Sequence, residues 1–297
     1  MPNPKPRHVP AQLSLSVHTT IFISTAANSS PVYVVVNFHI FNMTDKTLDL
    51  CVSNYGTAKS LDYALAVLPW GATEPHNLHL PYLTDAILSH DVAVDAATIA
   101  LEKYGVRAMV LAPVAMGAQN PGQRDLKFCI HTRQETQKAI LTDIATSLYH
   151  QGMRRLLIVN GHGGNMFKGM IRDLAVDMPD MLIATSEWFK VMPAKNFFDH
   201  PDDHADELET SVMMHYHPEL VDLSTAGDGQ AGGFAPETLR QGVAWIPRNW
   251  GLVSRDTGIG DPRSATADKG KRFAAAVAAR YAELYRDLTL DNLYRPF

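Results

Sequence analysis

Four polar side chains, Glu74, His76, His79 and Asp85, fall within the stretch PWGATEPHNLHLPYLTDA (69–86), between an apolar run and the start of a helical pattern. Imidazole nitrogen and carboxylate oxygen together suit zinc, manganese and iron. A carboxylate can bridge two such ions, whereas a neutral imidazole holds one. These donors are therefore enough for one ion, and for two if Asp85 bridges them. Such a centre lowers the pKa of a bound water and polarises a substrate carbonyl. The plain alternative is a solvated loop. His79 fits a plain reading best: flanked by Leu78 and Leu80, it reads as a buried histidine that braces the loop.

Further polar groups recur along the chain, in GAQNPGQRD (117–125), in NGHGGN (160–165), at Glu187 and Trp188, and in HADELETS (204–211). His162 stands between two glycines, which let a backbone approach a ligand closely. Trp188 reads equally well as core. Asp202, Asp203 and Asp206 suit the negative charge preferred at a helix N-terminus. His90, His150, His215 and His217 read as ordinary histidines, and Met213, Met214 and Tyr216 as packing. No G-x-S-x-G nucleophile elbow and no G-x-x-x-x-G-K-[ST] phosphate loop occurs. NGHGGN shares only its glycines with nucleotide loops.

The elements that must position these groups follow from periodicity. Apolar runs at 63–70, 107–114, 154–160 and 181–188 read as strands. Amphipathic stretches at 84–104, 132–152, 165–177, 206–216 and 264–287 read as helices. Thr132 and Glu135 have capping-box spacing, and Gly152 is placed to end that helix. Strand–helix alternation predicts an α/β fold with a mainly parallel central sheet flanked by helices. Each polar cluster then follows the carboxyl end of a strand, where ligands bind in such sheets. Residues 222–264, rich in Gly, Pro and Asp, read as a long excursion near the site.

Over 297 residues, 46% hydrophobic and 19% charged residues suit a globular protein with a sizeable core. A net charge of -5 gives no reason to expect nucleic acid or an anionic membrane surface. No apolar run approaches the ~18 residues of a membrane span. The two cysteines, Cys51 and Cys129, lack metal-ligand spacing and suit a reducing, cytoplasmic setting. Residues 1–42 carry no acidic residue and read as a poorly ordered extension, with Met43 as an alternative native start; 43–297 reads as one domain.

At these loops the sequence resembles the creatininase (creatinine amidohydrolase) family. GATEPHNLHLPYLTD (71–85) resembles the family's G-S-T-E-Q-H-G-x-H-L-P-x-x-T-D, and NGHGGN its third-strand loop. HADELETS resembles H-A-G-x-x-E-T-S, and TGIGDPRSATADKG (257–270) is similar to the C-terminal G-x-x-G-x-P-x-x-A-T-x-x-K-G. The likeness runs from about residue 60 to 288. It implies a hexamer with a two-metal site that hydrolyses C–N bonds of small molecules, often cyclic amides. Carried over by position, Glu74 and His162 would hold one divalent ion, His76 the other, and Asp85 would bridge them. His204 would pass a proton to the leaving nitrogen. Trp188, Gly163 and Gln119 are the expected substrate contacts.

Departures are informative. Creatininases proper place Tyr and Glu where this chain has Gly163 and Gly164, and that Glu completes the second metal's shell. Glu209 is the candidate to replace it. His204 and Glu209 are five apart, about 500° of helix, so they share a face only if His204 lies in the lead-in turn, with Asp203 as N-cap. Pro75 and Asn77 replace the usual Gln and Gly. One of the family's two pocket tryptophans matches Trp188; the other position holds His200. Creatinine itself is therefore not the expected substrate. Two alternatives stay open: opening of a carbocyclic ketone or lactone in sugar or polyol breakdown, and a metal- or ligand-binding protein without turnover.

Overall fold

The computed structural model describes residues 45–295; the expected extension over 1–42 lies outside them. In chain order the elements are α1 (Tyr55–Ala58), β1 (Leu65–Trp70), α2 (Thr84–Tyr104), β2 (Ala108–Val110), α3 (Gln134–His150), β3 (Arg155–Asn160), α4 (Phe167–Asp177), β4 (Leu182–Glu187), α5 (Glu207–Tyr216), α6 (Glu237–Arg240), α7 (Trp250–Val253) and α8 (Ala267–Leu288).

The strands form one sheet in the order β2-β1-β3-β4, parallel throughout. Side chains alternate across a strand, and both faces here are covered by helices. Leu65 and Val67 of β1 and Leu157 and Val159 of β3 join α2, α5 and α8 in one core. Ala66, Leu68 and Trp70 with Leu156 and Ile158 join α3 and α4 in the other. Burial on both faces explains why these strands read as continuous apolar runs. Each fully buried Leu or Val here contributes about 1.5–3 kcal/mol.

Boundaries differ from the sequence expectation in instructive ways. The second strand was expected over 107–114, but β2 stops at Val110, and the chain regains β1 only through the Trp70–Val114 bridge. Pro113, between them, has no N–H to give to a ladder. The capping box at Thr132 does not form: α3 starts after Arg133 without a side-chain cap, and the Thr132 hydroxyl donates to Met116 Sδ instead. Gly152, at φ +90°, does sit where α3 ends.

The strand ends and α2 meet closely. A Cβ on Gly71 would lie 2.3 Å from Ala86 N, and one on Gly161 would lie 2.3 Å from Asp85 O. Only glycine at the ends of β1 and β3 lets α2 begin between them. That start sets Asp85 in the first turn of α2, where the helix dipole favours a carboxylate. No helix among the described residues is long and apolar enough to cross a membrane.

Candidate metal centre

Beyond the carboxyl ends of the strands lies a cavity of about 1170 Å³ whose wall includes Glu74, Asp85, His162, His204 and Glu209. Three buried donor sets converge there, the donor atoms of each within 4.8 Å of one another: Glu74, Asp85 and His162; His76, Asp85 and Glu209; and Glu74, His76 and His204. The first two share Asp85. The six side chains come from the loop after β1, the start of α2, the loop after β3, and the lead-in and first turn of α5.

Both histidines are oriented by backbone. The His76 Nδ1–H donates to the Glu74 carbonyl at 3.0 Å, turning Nε2 to Asp85 Oδ1 at 2.9 Å. The His162 Nε2–H donates to the Ala118 carbonyl at 2.8 Å, turning Nδ1 to Glu74 Oε1 at 2.7 Å and Asp85 Oδ2 at 3.2 Å. A second bond of this kind commonly fixes the ring and tautomer of a metal-ligating histidine. Ala118 is held in turn: its N–H donates to Asn165 Oδ1, which also accepts from Gln137.

The electrostatics fit a cation centre. Burial would lower the His76 pKa, but Asp85, Glu209 and Glu74 outweigh it and push it up to about 10. His162 moves the same way, its burial outweighed by Glu74 and Asp85. Glu74 and Asp85 are held below their usual range: burial opposes this, but His162 and His204 at Glu74, and His76 and His162 at Asp85, outweigh it. Burial pushes Glu209 up to about 8 despite the charge of His76. Asp85 Oδ2 is buried without a hydrogen bond, although His162 Nδ1 is near. An acceptor-only oxygen in that position suits a metal ion, and the nitrogen and oxygen donors suit zinc, manganese or iron.

His204 is placed differently. It lies in the lead-in turn of α5, as the face argument requires, but the N-cap is Asp206, not Asp203. Asp206 accepts from Glu209 N, and Glu209 Oε2 accepts from Ala205 N at 2.6 Å. Ala205, at φ +49°, is in the left-handed region that costs a non-glycine residue energy. The His204 Nε2–H donates to the Pro75 carbonyl at 2.9 Å, and its ring lies 4.4 Å from that of His76 and edge-on to Trp250. Burial depresses its pKa, which favours the uncharged ring.

The expected substrate contacts divide. Gly163 lines the cavity, and a Cβ there would meet nothing within 4 Å. Gln119 also lines it, with both amide atoms buried and unpaired. Trp188 does not: it is 1% exposed and packs edge-on against Phe189 and Phe273 in the core. The tryptophans on the wall are Trp245 and Trp250, both from the excursion, and Trp250 is held by a 2.7 Å bond from its backbone N–H to the Pro121 carbonyl. His79 braces, as expected, through Thr210 at 2.8 Å. Asn77, at φ +54°, takes the left-handed position that the family gives to Gly, and its side chain exchanges two bonds with Gly227.

Two supports escaped the sequence reading. Gln123 is 1% exposed and its Nε2–H donates to Glu74 Oε2 at 2.6 Å. Asn165 ties Gly71, Asn160 and Ala118 together. Both lie in flagged loops, but nothing in their spacing singles them out. At Gly164 this backbone leaves no room for a side chain: a Cβ there would stand 2.1 Å from the Ala118 carbonyl oxygen and 2.5 Å from His162 Nε2.

The family model for creatininase (creatinine amidohydrolase) matches residues 53–285. A mycofactocin precursor peptide peptidase from Mycobacterium ulcerans is 31% identical over 217 residues, 70% of this chain and 79% of that protein. A 3-dehydro-scyllo-inosose hydrolase from Thermotoga maritima is 24% identical over 250 residues, 75% and 77% of the two. A Bacteroides fragilis crystal structure, provisionally assigned as a creatinine amidohydrolase, superimposes with a TM-score of 0.83 at 57% identity, covering 84% of this chain and all of that one. Creatininase structures described as Mn and as Zn-Zn type share the fold at 20% and 21% identity, with TM-scores of 0.66 and 0.61; they cover 81% and 75% of this chain, and 98% and 89% of their own.

Proposed function

Because this chain belongs to the creatininase family, and because two of its donor sets share one carboxylate, we propose that it is a two-metal hydrolase that cleaves a C–N bond of a small amide. The shared Asp85 carries the reading. Glu74 and His162 would hold one divalent ion, His76 and Glu209 the other, with Asp85 between them. Zinc, manganese and iron all fit these donors. When bound, such ions make water nucleophilic at neutral pH and polarise a carbonyl.

The chain's own residues supply the rest. With Nε2–H committed to Pro75, neutral His204 has its lone pair at Nδ1. It takes the proton of the attacking water there and delivers it to the leaving nitrogen. Glu209 holds the His204 turn through Ala205 N. The Gln119 amide offers a donor and an acceptor, the complement of an amide substrate, and Gly163 leaves room for it. We carry a homohexamer and a cytoplasmic setting as parts of this proposal.

One relative favours a second reaction on the same groups. The Thermotoga maritima protein acts on an inosose, so opening of a carbocyclic ketone is the runner-up. The test uses the purified full chain: metal per chain, mass in solution, and hydrolysis of cyclic amides, formamides, short peptides and carbocyclic ketones. Two ions and C–N cleavage are expected, with His204→Gln keeping its metal but losing about 10²–10⁴ in kcat. Ketone opening without C–N cleavage selects the runner-up. A metal-free protein whose His76→Ala variant behaves as wild type refutes both.

A further inference from the structure

A second group of metal-binding atoms lies outside the catalytic cavity. Asp49, Cys51 and His90 bring a carboxylate oxygen, a thiol sulfur and an imidazole nitrogen within 4.8 Å of one another. Asp49 and Cys51 come from the segment that leads to α1, and His90 from the second turn of α2. None of the three lines the catalytic cavity. Their sequence spacing, with His90 39 positions after Cys51, gives no metal-binding signature; only the fold joins them.

His90 pairs with Asp49 on one side and Asp91 on the other, and the Cys51 sulfur joins the Asp49 side to make a three-donor group. Asp49 is 2% exposed, a buried carboxylate. Its hydrogen bonds among the described residues fall on Oδ1, from Cys51 N at 2.8 Å and with His90 Nε2 at 3.2 Å. Oδ2 is therefore open to a cation. The bond from Cys51 N also folds the loop back, so that the cysteine side chain lies over the same carboxylate. On the far side of the ring, His90 Nδ1 faces Asp91 Oδ1 at 3.1 Å. That arrangement, a carboxylate behind an imidazole, orients ligating histidines in metal sites. Asp91 is itself bonded to His217 Nε2 at 2.7 Å, which fixes it against α5.

We propose that Asp49, Cys51 and His90 form a second divalent-metal site, distinct from the catalytic pair and of the zinc class. Sulfur, nitrogen and oxygen donors in one set select a borderline-soft ion over magnesium or calcium. Three protein ligands leave the fourth tetrahedral position to water, because Cys51 is exposed. Binding replaces the thiol proton, so one proton leaves for each ion bound. The ion clamps the segment before α1 onto α2, the helix whose first turn carries Asp85.

The sulfur makes the site separable from the catalytic one, whose donors are only nitrogen and oxygen. Full-length protein, stripped by chelation, is titrated with Co²⁺ and followed in the near ultraviolet. A thiolate-to-cobalt charge-transfer band is expected. It should persist in Cys129→Ser and in His76→Ala, and vanish in Cys51→Ser. His90→Gln should raise the cobalt concentration needed for half of the band by at least tenfold, in a protein whose unfolding temperature with metal removed matches wild type. Absence of the band in the wild type overturns the proposal, as does a band that survives Cys51→Ser. Loss of the band in His76→Ala, with that variant folded, also overturns it by assigning the sulfur to the catalytic centre.

Discussion

Returning the family's glutamate to position 164 should damage the metal centre rather than complete it. A Cβ there would stand 2.1 Å from the Ala118 carbonyl oxygen and 2.5 Å from His162 Nε2. These atoms are the two partners of the 2.8 Å bond that orients the His162 ring. Carbon–oxygen contacts settle at about 3.3 Å, so one partner must retreat by about 1 Å, which takes the bond out of hydrogen-bond range. Neither partner is the loose end of a side chain. Ala118 is tied by its N–H to Asn165, and His162 by Nδ1 to Glu74.

Gly164→Ala already introduces the offending atom. It is expected to cost about 1–3 kcal/mol of stability by overpacking and about 10–100-fold in metal affinity through the lost outer partner of His162. Gly164→Glu should be no better. Glu209→Gln removes a charged donor from the other set, and Glu209→Gln/Gly164→Glu should not regain the second ion. The assay is metal per chain after dialysis against a metal buffer, alongside thermal unfolding and hydrolysis of the best substrate. A double variant that recovers the second ion refutes the reasoning. So does a Gly164→Ala protein with wild-type affinity and unfolding temperature.

Two further outcomes follow from single contacts. Gln123→Leu deletes the donor to Glu74 Oε2 and should lower metal affinity by about 10–100-fold; competition with a chromogenic chelator reads it, and an unchanged affinity contradicts the assigned support. Burial holds His79 down to about 4 against the usual 6.5. The unfolded chain therefore takes up a proton below the usual value while the folded protein does not. The stability His79 contributes is full above pH 6.5 and is lost as pH falls toward about 4, at most about 3 kcal/mol. Urea unfolding of wild type and His79→Gln across that window should show the shallower slope in the variant; equal slopes would remove His79 as the cause.

The fold was legible because burial on both sheet faces leaves a strong mark. Runs such as LAVLPW (65–70) and RLLIVN (155–160) read as strands because both faces of each are covered. The candidate donors that the fold gathers were legible through position after a strand, aided by the resemblance. What escaped reading depends on contacts distant in sequence. Trp188 and Trp250 look alike in sequence, and only packing sends one into the core beside Phe273 and the other onto the cavity wall. Thr132 has the right spacing for a cap, but the Met116 sulfur lies within its reach and takes the hydroxyl. Cys51 and His90 carry no spacing signal at all, and meet because the segment before α1 folds onto α2.

The change at position 164 has a structural consequence beyond replacing one carboxylate by another. Glu209 comes from the first turn of α5, not from the loop after β3, and one of its oxygens is already committed to Ala205 N. Ala205 follows His204 directly and is held at φ +49°, a conformation that reverts unless something fixes it. One carboxylate thus serves both the second donor set and the turn that aims His204. A glutamate in the loop after β3 has no such connection to His204. In this chain His204, the proposed proton carrier, is tied to the donor set, while the loop after β3 is pressed against Ala118 at Gly164 and leaves open space at Gly163. The two glycines are therefore not a lost site: the first widens the cavity, and the second lets Ala118 reach His162.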